Sequence, residues 1–315
     1  MIEGKRIAVV VPAHNEEHLL PVTLASMPAF VDRIIVVDDA SGDGTAGCAQ
    51  AAANGDPRVE VLSHERRSGV GAATITGYRR AMADGLDVVV VMNGDNQMEP
   101  EDLPTLVEPV VRGELDYSKA NRLSTGLAWQ LIPKTRFFGN AILSLLTKVA
   151  SGYWHVADSQ SGYTAISREM LEQLDLDHVY TNYGFPNDML VHLNVWNARV
   201  RDFPSRPIYG VGERSNMRYR HVVPRIAWLL VRGFFWRLWE KYVKRDFHPL
   251  VFFYVMGFIA TVAGVLLGLV VVGYRIAGYS IPIATVVLVA LLVISGLQFT
   301  LFAMWFDMES NKDLK

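Results

Sequence analysis

The chain has 315 residues, half of them hydrophobic, and 30 Lys and Arg against 32 Asp and Glu give a formal net charge of -2. That length holds one substantial core and something more, and the mean hydropathy of +0.19 is high for a soluble protein. A lone cysteine, Cys48, excludes an intrachain disulfide and any multi-cysteine metal site.

From the N-terminus, MIEGKRIAVVVPAH is too polar and too soon interrupted to be a signal peptide. Short continuous runs of β-branched residues then alternate with helix formers. Arg6–Ala13 (RIAVVVPA), Arg33–Asp39 (RIIVVDD), Arg58–His64 (RVEVLSH) and Asp87–Asn93 (DVVVVMN) read as strands covered on both faces. Between them EEHLLPVTLASM, GTAGCAQAAA and GAATITGYRRAMADG read as helices closed by Gly, Asn or Pro signals. Tyr117–Arg122 (YSKANR) is a further strand. The alternation predicts an α/β domain with a largely parallel sheet.

Ligands of an open parallel sheet bind at the carboxyl ends of its strands, and polar clusters fall there repeatedly. The first strand ends in Pro12-Ala13-His14-Asn15-Glu16-Glu17, the second in DDASGDGT and the fourth in Asn93-Gly94-Asp95-Asn96-Gln97. One such cluster is an ordinary turn; three on one rim are more than turns require. A dinucleotide-binding oxidoreductase is excluded because PAHNEE, after the first strand, contains no glycine. The later GVGAAT (Gly69–Thr74), with Arg66 and Arg67 beside it, can open a helix whose N–H groups face an anion. There is no Walker sequence, the eight histidines show no metal-ligand spacing, and Ser161-Gly162 lacks the frame of a nucleophile elbow.

Two long uncharged runs, Leu250–Tyr274 and Ile281–Phe306, have the length and composition of membrane spans and predict a hairpin. Between Arg199 and Pro249, twelve Arg and Lys stand against four acidic residues, whereas the turn between the runs offers only Arg275. The positive-inside rule therefore predicts a cytoplasmic N-terminal body and tail. Within this basic segment RIAWLLVRGFFWRLWEKYVKRDF mixes Trp, Phe and Leu with Arg and Lys at helical spacing, the pattern of a helix lying in a membrane interface. Its aromatics share their stripe with aliphatics and a span follows, which argues against nucleic acid as a partner.

In order, VVVPAHNEE, VVDDASGDGT, GVGAA, NGDNQMEPEDL and DSQSGYTAISRE resemble the successive motifs of family-2 inverting glycosyltransferases of GT-A fold. Within that family they are most similar to polyprenyl-phosphate glycosyltransferases, including the bacterial branch with two membrane helices. The resemblance covers roughly Arg6 to Tyr209 and implies a Rossmann-like GT-A domain over residues 1–212. Amphipathic juxtamembrane helices over 213–248, two spans within 249–306 and a cytoplasmic tail over 307–315 follow. It implies a nucleotide-sugar pocket lined by Pro12, Asn15 and Glu16, with Asp38 and Asp39 reaching base or ribose. Arg67, Gly69 and Gly71 fall near the diphosphate, and Asn93, Gly94, Ser161 and Gly162 beside the donor. Asp95 and Gln97 match the family's ligands for Mg²⁺ or Mn²⁺. Arg122 and Arg136 match positions holding donor and acceptor phosphates, Arg218 and Arg220 are further acceptor-phosphate candidates, and Asp158 matches a loop beside the sugar. Asp188 stands where other members place a catalytic base.

The implied reaction moves one sugar from a nucleotide diphosphate, a UDP-hexose such as UDP-glucose first and GDP-mannose second, to a polyprenyl phosphate at the cytoplasmic face of the plasma membrane. A phosphate monoester is already ionised near neutral pH, so the acceptor is its own nucleophile and Asp188 orients sugar or phosphate. A membrane-anchored homo-oligomer accords with the family. The chain departs from the pattern at Asn93, where the family has Asp. The rivals are a processive polysaccharide synthase, whose Gln-x-x-Arg-Trp signature is missing, and a silent scaffold, which the intact Asp39, Asp95, Gln97 and Arg136 oppose.

Overall fold

A computed structural model describes residues 1–124, 134–206, 208 and 219–315. They form two compact units, Met1–Phe235 with Asp313–Lys315, and Trp236–Lys312.

The first unit is built on seven strands: β1 (Ile7–Ala13), β2 (Arg33–Asp38), β3 (Val59–Ser63), β4 (Val88–Val91), β5 (Tyr117–Asn121), β6 (Thr164–Ser167) and β7 (Val200–Pro204). Their order is β3-β2-β1-β4-β6-β5-β7. β1 pairs in parallel with β2 and β4, β2 with β3, and β5 with β7. β6 alone runs antiparallel to its neighbours β4 and β5. Successive side chains of a strand point to opposite faces, and alternate β1 residues accordingly enter different cores. Ala8 and Val10 pack with Ile35, Val37 and Tyr78, while Ile7, Val9 and Val11 pack with Ile34, Val36 and Leu106. This double coverage is why the strands read as unbroken apolar runs.

Helices α1 (Leu20–Ala25), α2 (Thr45–Gly55), α3 (Val70–Ala83), α4 (Leu103–Val111), α5 (Lys134–Ser151), α6 (Arg168–Gln173), α7 (Phe185–Val195) and α8 (Tyr219–Trp239) alternate with the strands. Within the first unit, α8 turns Ile226 and Leu230 inward and exposes Trp228, Val231 and Phe235 on one stripe. The strands β6 and β7 were not among the sequence expectations. The residues Asp313–Lys315, expected as part of a tail, join the first unit: Val200 N–H donates to the Leu314 carbonyl at 3.0 Å, and Leu314 packs on the core.

The second unit contains α9 (Leu250–Ile276) and α10 (Ile283–Ser310), which start at or near the expected positions and run two to four residues past the expected ends. Both are long and apolar enough to cross a membrane, with hydropathies of 2.6 and 2.5. They meet through small residues. A Cβ on Gly257 would sit 2.6 Å from Thr300 Oγ1, and one on Gly296 would strike Thr261 Oγ1. At the end of the pair, Arg237 makes a bidentate ion pair with Asp307, both bonds at 2.8 Å and both residues buried. Tyr242 O–H donates to the same carboxylate at 2.7 Å, and Lys241 Nζ to Asn311 Oδ1 at 2.7 Å.

Removing one member of a buried ion pair strands the other charge at a cost of about 3–5 kcal/mol. Asp307→Ala should therefore destabilise the second unit by that order, read as a lowered unfolding midpoint of the detergent-solubilised protein.

Candidate active site

The parallel strands β1, β2, β4, β5 and β7 all point their carboxyl ends at one rim. β6 runs the other way, so the residues preceding it, Asp158–Tyr163, arrive there instead. The β1 and β2 loops are tied together: Gly42 N–H donates to Asn15 Oδ1 at 2.8 Å, Asn15 N–H to Ser41 Oγ at 3.0 Å, and Glu16 N–H to Thr45 Oγ1 at 2.7 Å. Asn15 takes a left-handed backbone, φ 59°, which asparagine tolerates well. Asp38 accepts from the Ser41 hydroxyl and N–H. Pro12 holds the β4 loop through Gly94 N–H at 3.1 Å.

Asp39 is turned into the protein. It accepts from Ser68 N–H, Gly69 N–H and His64 Nδ1, each at 2.8 Å. Burial alone would raise its carboxyl, but the His64 and backbone hydrogen bonds prevail and hold it below the ordinary value. Ala72 N–H goes to the Thr181 carbonyl at 3.1 Å. In the expected anion loop at Gly69 and Gly71, the Ser68, Gly69 and Ala72 N–H groups are thus engaged by protein. The glycines permit close approach: a Cβ on Gly69 (φ +100°) would lie 2.5 Å from Thr181 O, and one on Gly71 2.8 Å from Tyr180 O. Arg67 is exposed beside this turn.

The same 180–182 segment is fixed by Asp188, whose Oδ2 accepts from Tyr180 N–H at 2.8 Å and lies 3.6 Å from His192 Nε2. Burial pushes the Asp188 carboxyl up to about 6 against that hydrogen bond. It sits, buried, in the first turn of α7.

At the centre of the rim a cavity of about 80 Å³ is walled by Asn93, Asp95, Gln97, Arg122, Ser161 and Gly162, joined by Gln160 and Lys119's neighbour Ala120. Six residues singled out from the sequence therefore meet around one space, roughly the volume of two to three waters. Gln97 N–H donates to Asp95 Oδ1 at 3.2 Å, and Gln97 Nε2 to the Ile208 carbonyl at 3.3 Å. With its nitrogen so engaged, the amide oxygen of Gln97 is the end left to face an ion.

Asp158 lies beneath this wall, fully buried. Arg122 grips it through Nε at 2.8 Å, Nη2 at 3.2 Å and its backbone N–H at 3.1 Å, and Gln160 and Ser161 N–H groups add bonds at 3.1 Å. Burial would raise the carboxyl, yet Arg122 and then Lys119 hold it down at about 2. Asp158 thus positions the turn, and Arg122 presents a guanidinium already committed to one carboxylate. Arg136 lies in α5 and Arg220 in α8, with side chains outside the described residues; Arg218 is outside them altogether.

Glu16 shows the charge balance. Its carboxyl is pushed up to about 7 by burial, then by Asp95, then by Asp43. No group of three or more His, Cys, Asp or Glu that could hold a metal occurs among the described residues. A hard divalent cation needs fewer, since Mg²⁺ commonly takes one or two carboxylates plus substrate phosphates. The oxygen-only set of Asp95, Gln97 and Asn93, under a local excess of negative charge, fits Mg²⁺ or Mn²⁺.

The family model for Glycosyl transferase family 2 matches residues 8–175. Among relatives, the polyprenol monophosphomannose synthase of Mycolicibacterium smegmatis is 30% identical over 73% of this chain and 88% of its own. The undecaprenyl-phosphate mannosyltransferase of Micrococcus luteus is 33% identical over 63% and 82%. The UDP-N-acetylglucosamine–dolichyl-phosphate N-acetylglucosaminyltransferase of Methanococcus voltae is 29% identical over 65% and 86%. In fold, the chain is similar to glucosyl-3-phosphoglycerate synthase from Mycobacterium tuberculosis, solved with Mn²⁺, UDP and glucosyl-3-phosphoglycerate, at a TM-score of 0.56 and 23% identity over 74% of this chain and 80% of that one. The chain belongs to glycosyl transferase family 2. It is a glycosyltransferase with a GT-A domain, as its motifs led one to expect.

A raised glutamate binds its proton more tightly folded than unfolded, so its share of stability is fully present at low pH and is lost as pH rises from 4.5 through about 7. Glu16→Gln should remove that decline, making the metal-free protein more stable than wild type above about 7, as thermal unfolding across this pH range would register.

Proposed function

We propose that this glycosyltransferase moves a single sugar, with inversion, from a nucleotide-diphosphate sugar to a polyprenyl phosphate at the cytoplasmic face of a membrane. The observation that carries the reading is the meeting of Asn93, Asp95 and Gln97 with Arg122, Ser161 and Gly162 around one rim cavity, in a chain that also bears two apolar helices of membrane-spanning length. The names of the relatives, which act on dolichyl, undecaprenyl or other polyprenyl phosphates, support the acceptor class.

In this reading the motif residues divide the labour. Pro12, Asn15, Glu16 and Asp38 form the nucleotide side of the rim, and Asp39 shapes it by holding Ser68 and Gly69. Asp95 and Gln97, with Asn93, hold a divalent cation. Bound there, that cation supplies neutralisation of the charge developing on the leaving diphosphate. Asn93 contributes an amide oxygen where a carboxylate is usual, so this site presents one full negative charge fewer to the ion. Arg122, Arg136, Arg218 and Arg220 attract phosphate. The acceptor phosphate is already a nucleophile, so alignment rather than proton removal is what the site must provide. The inward engagement of Asp188 with Tyr180 supports this economy.

In this reading residues 1–212 are the catalytic domain, 213–248 an interfacial segment, and α9 and α10 a membrane hairpin with its Arg275 turn outside. The return of Leu314 to β7 supports a common side for both ends of the hairpin, as does the basic excess before α9. The exposed Trp228, Val231 and Phe235 stripe suits a bilayer surface. A UDP-hexose is the first donor. GDP-mannose is the second reading, favoured by the two relatives named for mannose transfer.

Asp95→Ala should fold normally yet lose sugar transfer in an assay with polyprenyl phosphate, Mg²⁺ or Mn²⁺ and a panel of nucleotide sugars, the glycolipid being identified by mass. Near-normal turnover would refute the ion site. In the same assay Asp188→Asn should retain measurable transfer, and a rate no higher than the uncatalysed background would show that a base is required.

A further inference from the structure

Lys119 sits in the middle of β5, between Thr164 of β6 and Asp202 of β7, with none of its surface exposed. A buried ammonium is costly, and an apolar side chain of similar length fills such a slot without that cost. Lys119 does not end on a carboxylate. Its Nζ donates to the main-chain carbonyls of Asp158 at 2.6 Å and Ser161 at 3.0 Å, the first and last residues of one turn. From the other side the Asp158 carboxylate collects the N–H groups of Gln160 and Ser161. Ser159 is secured in turn by the buried Asn187, whose Nδ2 donates to its hydroxyl at 3.1 Å, and Gln160 Nε2 reaches the same hydroxyl at 3.1 Å. The turn is thereby clamped from several directions, and its Gln160, Ser161 and Gly162 wall the rim cavity opposite Asp95.

We propose that Lys119 is a positioning residue for sugar transfer, its buried ammonium fixing both ends of the Asp158–Ser161 turn so that the cavity wall stands at the distance the reacting sugar needs. Lys119 does not itself line the cavity, and its hydrogen bonds go to the Asp158–Ser161 turn rather than to the β1 and β2 loops. Its loss therefore acts on the chemical step and spares nucleotide binding. Burial, reinforced by Arg122 and opposed by Asp158 and Asp202, brings its ammonium down to about 8, which adds a readout in the unaltered protein.

The test compares full-length wild type and Lys119→Met in three measurements: transfer to polyprenyl phosphate, UDP affinity in the presence of Mn²⁺, and thermal unfolding. Misplacement of a reacting group by an ångström lowers rates by up to about a hundredfold. The folded variant should accordingly lose about tenfold to a hundredfold in kcat, with Kd for UDP and KM for the lipid within about threefold of wild type. A kcat within about twofold of wild type, or a loss of UDP affinity that accounts for the whole effect, overturns the proposal. If Lys119→Met does not fold, the wild type decides: kcat should fall as pH rises through about 8 while Kd for UDP stays level, and a flat kcat profile overturns the proposal. The inference rests on the sugar-transfer reading. Wild type that makes no glycolipid from any donor sinks both, whereas active wild type with an equally active variant sinks this one alone.

Discussion

The antiparallel passage of β6 between β4 and β5 brings residues 158–163 up to the rim, where a parallel strand would have carried them to the far end of the sheet. Every parallel strand delivers its following loop to that rim, and the reversed one delivers its preceding loop. The β4 loop with Asp95 and Gln97 and the Asp158–Gly162 turn can therefore face each other across one cavity. Remove the reversal and the oxygen donors would have no opposite wall.

The two walls differ in electrostatics. Around Asp158, Arg122 and Lys119 form a dense set of opposite charges that satisfy one another, and the turn is held in place. Around Glu16, burial and then the like-charged acids Asp95 and Asp43 elevate its carboxyl. A rigid, neutralised wall thus faces an electronegative one across the cavity.

Much of this was legible in the chain. β1 to β4 announce themselves because strands buried on both faces are β-branched throughout, and the loops after β1, β2 and β4 carry their motifs in order. The two long apolar helices are plain from composition. β6 and β7 were not, because TAIS and VRDFP are too short and too mixed to show a period, and β6's direction follows from pairing partners far away in sequence. The surroundings of Asp39 were hidden for a similar reason: two adjacent carboxylates at a strand end look alike until Ser68, Gly69 and His64 are found around one of them. Gly69 and Gly71 read as an anion loop, and close packing against residues 180–182 makes the same demand for a missing Cβ. Lys119 carried no signal beyond being a charge within a strand pattern, and Arg237 and Asp307 are 70 residues apart.

The packing of α9 on α10 sets a limit on where hydrocarbon can go. Gly257 and Gly296 bring the two backbones so near that even a methyl group lacks room between them, while Phe258, Leu269, Leu288 and Leu301 stand outward. No greasy chain of any thickness can thread that seam. Any apolar chain that meets the pair must lie along its outer flank, against those bulky outward side chains.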